Sequence, residues 1–305
     1  MSVTAEAVKQ LRERTGAGMM ECKRALVETQ GDLDAAAELM RKQGLAKADK
    51  KATRVAAEGV VVVARSADAL TAAMLEVNCE TDFVARGDDF VGFATLVAQA
   101  TLAAAPKDLD ALQSLRLPAG ETVDEYRRAL VARLGENITV RRFVVVSAPT
   151  QLGAYVHGGR KAALVAVQGG DATLAHDLAM HVTASTPRYL SLAEVPAAEL
   201  ARERDILSEQ AKGSGKPPEI IAKMVEGKLR KSLGEITLLG QNFVKDPDQT
   251  IEKLLQGSKA SVKRFERFEV GAGIEKKHDD FVGEVMAQVK ASQKDAGTNP
   301  HAGKH

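Results

Sequence analysis

Apolar positions recur at helical spacing through residue 43, change to the two-residue period of strands near residue 58, and make the same change again after residue 150. Within 3–43 the spacing predicts three short helices. Val8 and Leu11 share a face of the first; Cys22 and 25–27 mark the second; Leu33, Ala36, Ala37 and Met40 mark the third. Thr15-Gly16-Ala17-Gly18 breaks the first from the second, and Gly31-Asp32 caps the third. A unit of this size buries little apolar surface, so a marginal module is expected. Met19 and Met20 follow the glycine turn and cannot both enter so small a core. At least one is expected as a soft contact surface; the alternative is that the pair caps its own bundle. The next stretch, R-K-Q-G-L-A-K-A-D-K-K-A-T-R at 41–54, is basic and poor in large apolar residues. It reads as a solvated linker, partly helical.

Strands are predicted at 59–64 and 70–77, joined by the five residues 65–69 as a hairpin with a longer loop. A helix carries Phe90, Phe93, Ala94, Val97 and Thr101 on one face, so both phenylalanines are expected in a core. A second helix shows Val123, Tyr126, Leu130 and Leu134, and 137–146 closes the unit as a strand. A similar order comes next: a hairpin of 153–157 and 162–167 around Gly158-Gly159, a helix marked by Leu174, Leu178 and Val182, and a closing strand at 260–270. These read as two related halves, or as two unrelated sheets of like order. The insertion at 191–235 reads as an αα-hairpin with its tip in K-G-S-G-K-P at 212–217. Its apolar positions are sparse, so it should have little core of its own and project from the body. A last amphipathic helix is expected at 276–290, with Phe281, Val285 and Val289, and a disordered tail at 291–305.

The fold class is therefore α+β. The expected divisions are a three-helix module at 1–45, a linker at 46–57 and one core subdomain at 58–150. A second core subdomain takes 151–190 and 236–275, the helical hairpin 191–235, and the terminal helix and tail 276–305.

One stretch stands apart, E-V-N-C-E-T-D-F-V-A-R at 76–86. Its apolar start reads as the end of a strand, and the polar cluster 78–82 reads as a turn. Phe83 comes directly after that turn, either tucked beneath it as core or held outward as an anchor.

Charge narrows the candidate partners. Lys and Arg total 42 against 41 for Asp and Glu, a net +1, so no broad electrostatic grip on nucleic acid is expected. Aromatics are 4% and Trp is absent, which leaves few stacking platforms. Cys22 and Cys79 lie far apart and fit free thiols in a reducing cytosol. No apolar run comes near the ~18 residues of a membrane span. With a helical pattern starting soon after Met1, no export segment is expected, and the expected setting is cytoplasmic with no membrane partner.

No catalytic or metal-binding residues are expected. Gly213-Ser214-Gly215-Lys216 invites a phosphate-loop reading, but that motif needs glycine where Gln210 stands and a hydroxyl where Pro217 stands. His176 and His181 are five apart and do not share a helix face as metal-binding pairs do. Asp88-Asp89-Phe90 and Asp279-Asp280-Phe281 sit at expected helix starts, where acidic residues favour the helix dipole.

The segment 76–86 resembles the signature of the elongation factor Ts family, the nucleotide exchange factors of the translational GTPase elongation factor Tu. Other blocks agree: L-R-x-x-T-G-A-G-M-M-x-C-K-x-A-L near the start, G-E-N-I-T-V-R-R at 135–142, H-G-G-R at 157–160, A-M-H-V-T-A-S at 179–185, S-G-K-P-P-E-I-I-A-K-M-V-E-G at 214–227 and R-F-E-V-G-A-G-I-E at 267–275. The resemblance is to the long bacterial form with a coiled-coil insertion. It implies that the three-helix module is similar to ubiquitin-associated folds. It implies a partner, elongation factor Tu in its GDP-bound and nucleotide-free forms, with no cofactor and no direct nucleic-acid contact. On that resemblance Thr81, Asp82, Phe83 and Val84 form the segment that enters the GTPase domain, with Phe83 wedging near the magnesium and phosphate site. Met19, Met20 and Lys23 would touch the GTPase domain, His157 and Gly158 would face another domain, and the C-terminal helix would pack back on the GTPase domain. Rival expectations are a nucleotide-utilising enzyme at the glycine-lysine tip and a passive scaffold.

Overall fold

The computed structural model describes residues 3–212 and 217–275. The helix expected at 276–290, the tail at 291–305 and the hairpin tip at 213–216 lie outside the described residues. The N-terminal module consists of α1 (Ala5–Thr15), α2 (Met19–Glu28) and α3 (Leu33–Lys51). Thr4 caps α1 by accepting from the Ala7 amide, and the Asp32 carboxylate caps α3 by accepting from the amides of Asp34 and Ala35. Leu11, Cys22, Ala25, Leu26 and Ala36 form a core small enough to leave both Met19 and Met20 outside it.

The first sheet is built from β1 (Glu58–Arg65), β2 (Thr71–Cys79) and β3 (Thr139–Ser147), antiparallel in the order β1-β2-β3. Between β2 and β3 come α4 (Asp82–Ala85), α5 (Asp88–Ala104), α6 (Leu109–Gln113) and α7 (Val123–Leu134). Side chains alternate across β2, as the strand period requires. Leu75 and Val77 pack with Phe90, Phe93, Val97 and Leu130 beneath the helices, whereas Ala72 and Met74 face the opposite way.

The expected linker at 46–57 is helix over its first half, because α3 continues to Lys51, and that helical part is packed and not simply solvated. Its composition hid the packing. Gly44 approaches α7 so closely that a Cβ there would lie 3.1 Å from the Ala132 Cβ, and Ala48 is buried in the core of the first sheet. Small residues give close helix contact without raising hydrophobicity. Lys51 Nζ donates to the Gly135 carbonyl at the end of α7, where a cation complements the unpaired carbonyls.

The second sheet is β4 (Gln151–His157), β5 (Lys161–Gln168) and β8 (Ser261–Glu269), in the order β4-β5-β8. Before β8 come α8 (Ala172–Ser185), a 3₁₀ turn at Leu192–Glu194, α9 (Ala197–Lys212), α10 (Pro218–Ile236), the short ribbon of β6 (Asn242–Phe243) and β7 (Asp246–Thr250), and α11 (Ile251–Gly257). α8 lies against β4 at very short range: a Cβ on Gly153 would fall 1.9 Å from the Ala175 carbonyl oxygen, so only glycine fits. His181 belongs to this core. The Val244 amide donates to its Nδ1, so the proton sits on Nε2 and is donated to Gln241 Oε1 at 3.0 Å. Burial lowers its pKa and keeps it neutral. The inserted helices α9 and α10 hold a separate small core of Leu207, Ala211, Val225, Leu229 and Leu233, more than the sparse apolar pattern suggested.

The two sheets share their strand order and an irregularity. In each, one residue of the last strand is extra, Arg141 opposite Glu76 and Val77, and Lys263 opposite Ala166 and Val167. They pack back to back: Val61, Ala72, Met74 and Val146 meet Leu152, Ala162, Leu164, Ala166 and Phe268. The layers therefore run helices, sheet, sheet, helix. Burial on both faces explains why β5, and β2 apart from Glu76, carry apolar residues on both sides and do not alternate with polar ones.

Among the described residues, the carboxylate of Glu76 lies without access to water. Glu76 in β2 is 0% exposed, and its carboxylate accepts from Arg141 at 2.9 Å, Arg142 at 2.6 Å and the Gly271 amide at 2.8 Å. Arg142 also lies over the Phe268 ring at 4.3 Å and donates to the Glu269 carbonyl. The end of the second sheet is thereby tied to the centre of the first. Glu76→Ala leaves these donors without their acceptor, and removing one member of a buried pair costs about 3–5 kcal/mol. The arginines are partly exposed and can rehydrate, so a loss of about 3 kcal/mol, the low end of that range, is expected from urea unfolding midpoints.

Both cysteines are free and buried. Burial, reinforced by the carboxylates of Glu136 and Glu58, pushes the Cys79 thiol up to about 12. Unfolding returns it to about 8.5, so its contribution to stability is full below that pH and is lost as the pH rises toward 12. At about pH 8 the folded chain should resist iodoacetamide at Cys79, and the urea-unfolded chain should react at the ordinary thiol rate. Rapid alkylation of folded Cys79 would contradict this burial.

Candidate functional site

β2 runs two residues further than its apolar pattern suggests. Asn78 and Cys79, expected in a turn, pair with Gly59 and Glu58 of β1. Asn78 Nδ2 donates to the Glu58 carbonyl, so the amide side chain joins the sheet edge and does not break it. The chain turns only at Glu80 and Thr81, then enters α4, a single turn. Thr81 is its N-cap, with Oγ1 accepting from the Val84 amide at 3.3 Å. The Thr81 carbonyl accepts from the Ala85 amide and from the Cys79 thiol.

Phe83 sits on this turn and is 84% exposed. Of the two expectations for the ring, the outward one holds. Its neighbours have other tasks. Asp82 pairs with Arg86 at 2.8 Å along the helix, Val84 packs partly into the core of the first sheet, and Ala85 is buried. The turn presents one large apolar side chain on a backbone whose other residues are engaged.

The polar groups of the turn converge on a residue distant in sequence. Glu136, in the loop between α7 and β3, accepts from the amides of Glu80 and Thr81, both at 3.0 Å, and from the Thr81 hydroxyl at 2.6 Å. Glu80 answers in the other direction, accepting from the Asn137 amide at 2.6 Å and pairing with Arg54 at 3.5 Å. Asn137 is buried and donates from Nδ2 to the Arg54 carbonyl. Three segments therefore meet behind Phe83: the end of β2, the loop before β3, and the chain just after α3. Glu136 stands in the G-E-N-I block at 135–138, where nothing local in the sequence gives it a role.

The remaining site residues lie on two other elements. Met19 is 57% exposed and Met20 67%, with Lys23 exposed one turn later. Val27, grouped with Cys22 in the apolar pattern of the second helix, is instead exposed one further turn along α2 and extends the same surface, because only Cys22, Ala25 and Leu26 face the small core. His157 and Gly158 are exposed at the tip of the β4–β5 hairpin, where Gly158 and Gly159 both adopt the positive φ that a type I′ turn requires. The His157 ring stacks on Tyr155 with centroids 6.2 Å apart, and Tyr155 meets His176 edge-on. α2, the β2–α4 turn and the hairpin tip are separate surfaces and form no single pocket.

An open groove of about 640 Å³ lies elsewhere, between the N-terminal module and α7. Arg24, Arg41 and Arg133 are matched along it by Glu28, Glu121 and Glu125, so it is no cradle for phosphates. Among the described residues no group of three or more His, Cys, Asp or Glu could hold a metal, and no helix is long and apolar enough to cross a membrane.

The model of a family described as Elongation factor TS matches residues 80–272. Elongation factor Ts of Halorhodospira halophila is 58% identical over 292 residues, covering 96% of this chain and 100% of that protein. The Elongation factor Ts of Methylococcus capsulatus is 58% identical over 293 residues and that of Thioalkalivibrio sulfidiphilus 57% over 294, each again covering 96% of this chain and 100% of its own length. This chain belongs to the elongation factor Ts family.

Proposed function

We propose that this chain is a guanine nucleotide exchange factor for elongation factor Tu, acting in translation elongation by protein–protein binding and not as an enzyme. It binds the GDP-bound form, inserts Phe83 beside the magnesium and phosphate site, and accelerates GDP release so that GTP can enter. The observation that carries this reading is the 84% exposure of Phe83 on a turn whose backbone is held from behind. Leaving so large a ring in water forgoes about 1.5–3 kcal/mol of burial. A partner that encloses it recovers that energy on binding.

The physical route to exchange is displacement. Magnesium demands near-ideal octahedral oxygen geometry, so a wedge that shifts the support of the ion weakens its binding. Without the ion the phosphate charge is poorly compensated, and GDP dissociates faster. No bond of the chain is made or broken. Thr81 and Asp82 shape the turn, and Val84 seats it. Met19, Met20 and Lys23 form a second contact with the GTPase domain, soft and cationic, while His157 and Gly158 contact another domain of the partner. The near-zero net charge favours a protein partner over nucleic acid.

Phe83→Ala removes the wedge and little else, so its urea midpoint should stay within about 0.5 kcal/mol of the parent, as surface substitutions do. Stimulated release of a fluorescent GDP analogue from elongation factor Tu should fall roughly thirtyfold or more, the loss expected of a binding hot spot worth about 2 kcal/mol. Full stimulation by the folded Phe83→Ala chain would overturn the wedge.

A further inference from the structure

We propose that Glu136 is a positioning residue for Phe83: its carboxylate sets the exposed ring in the orientation that nucleotide release requires. The inference rests on the wedge reading above and extends it to a residue that does not touch the partner's nucleotide site. Phe83 has almost no packing of its own, so its position is inherited from the backbone of residues 80–83. That backbone has left the sheet after Cys79, and α4 is too short to order itself. The amides of Glu80 and Thr81 point into the protein and need an acceptor. A single carboxylate supplies it for both, and takes the Thr81 hydroxyl as well.

The hydroxyl bond has a second effect. By donating to Glu136 Oε1, the Thr81 hydroxyl leaves its lone pairs to accept from the Val84 amide, which starts α4 with Phe83 in its first turn. Glu136 is in turn held by its own loop. Asn137, next to it, is fixed by Glu80 from one side and by the carbonyl of Arg54 from the other. The clamp is reciprocal: Glu136 accepts from the amides of Glu80 and Thr81, and Glu80 from the amide of Asn137. A ring fixed in this way meets its partner without an ordering cost at the moment of binding. A clamp released would leave the ring present but misplaced, and a small misplacement of a working group costs up to about a hundredfold in rate.

The test uses the full chain in four forms: the parent, Glu136→Ala, Phe83→Ala and the double variant. Each is assayed for stimulated GDP release from elongation factor Tu and, without partner, for amide hydrogen exchange. Glu136→Ala should lower the stimulated rate roughly ten- to hundredfold, and its loss of protection should be confined to about residues 80–85. Adding Glu136→Ala to Phe83→Ala should change the residual rate by less than about twofold, since both act through the same ring. Glu136→Gln, which keeps the side-chain volume and one acceptor, should fall between parent and alanine and serves in its place if the alanine variant unfolds. Parent-like stimulation by the Glu136 variants overturns the proposal, and so does a further proportional loss in the double variant, which would place Glu136 outside the action of Phe83. Full activity of Phe83→Ala alone would instead overturn the wedge reading, while the amide exchange still shows whether Glu136 orders the turn.

Discussion

The fully buried carboxylate of Glu76 is the constraint on which the arrangement of the two sheets depends. A charge at a sheet–sheet interface is tolerated only where its lone pairs are filled, and here two arginines and a backbone amide fill them. The arginines come from the bulged stretch of β3, and the amide from the chain just beyond β8. Sheets packed only through Ala, Val, Leu and Met side chains could slide with modest loss. The Glu76 cluster has one satisfactory register, so it adds specificity to an interface that apolar packing alone leaves permissive. Val61 adds a backbone bond to the Gly159 carbonyl of the opposite hairpin, and Arg160 an ion pair to Glu58.

β2 carries the consequences of that arrangement to the site. It is central in its sheet and buried on both faces, and it ends at the turn that presents Phe83. The same strand thus holds Glu76 within the body and, a few residues later, releases the chain toward solvent. Beyond Cys79 the path of the chain depends on polar satisfaction. Glu136, Glu80 and Asn137 account for the backbone groups that the end of the sheet leaves open. The apolar ring outside contributes little to stability, and on the proposed function its value lies in recognition. A residue whose exposure costs the free protein burial energy is the kind of residue that a partner surface can use.

Periodicity made much of the fold legible. Phe90, Phe93, Ala94, Val97 and Thr101 are all buried on α5, as their spacing requires, and both hairpins fall within a residue or two of their expected places. The features that escaped did so for physical reasons. The contact of α3 with α7 uses Gly44 and Ala48, residues that carry no hydrophobic signal. Asn78 and Cys79 look like turn residues, yet they extend β2 because the amide of Asn78 bonds the neighbouring strand. The short elements α6, β6, β7 and α11 are too brief for a period to show. The back-to-back packing was written in the unbroken apolar run of β5 and in β2, where apolar residues fill both faces except at Glu76, a signal of burial on both faces. At the site, Phe83 was visible as an unresolved choice between core and surface. Glu136 lies 53 residues away from it in sequence, and no local pattern marks a carboxylate as the acceptor for a distant turn.

Exchange by displacement has a thermodynamic signature that any kinetic assay only samples. If the chain binds nucleotide-free elongation factor Tu more tightly than the GDP form, GDP must weaken the chain's binding by the same ratio. The most direct measurement is the affinity of this chain for elongation factor Tu by titration calorimetry across a series of GDP concentrations with magnesium present. The dissociation constant should rise steadily with GDP before levelling at the affinity of the GDP-bound form. A dissociation constant indifferent to GDP would contradict it, and would mean that this surface binds its partner without acting on the nucleotide.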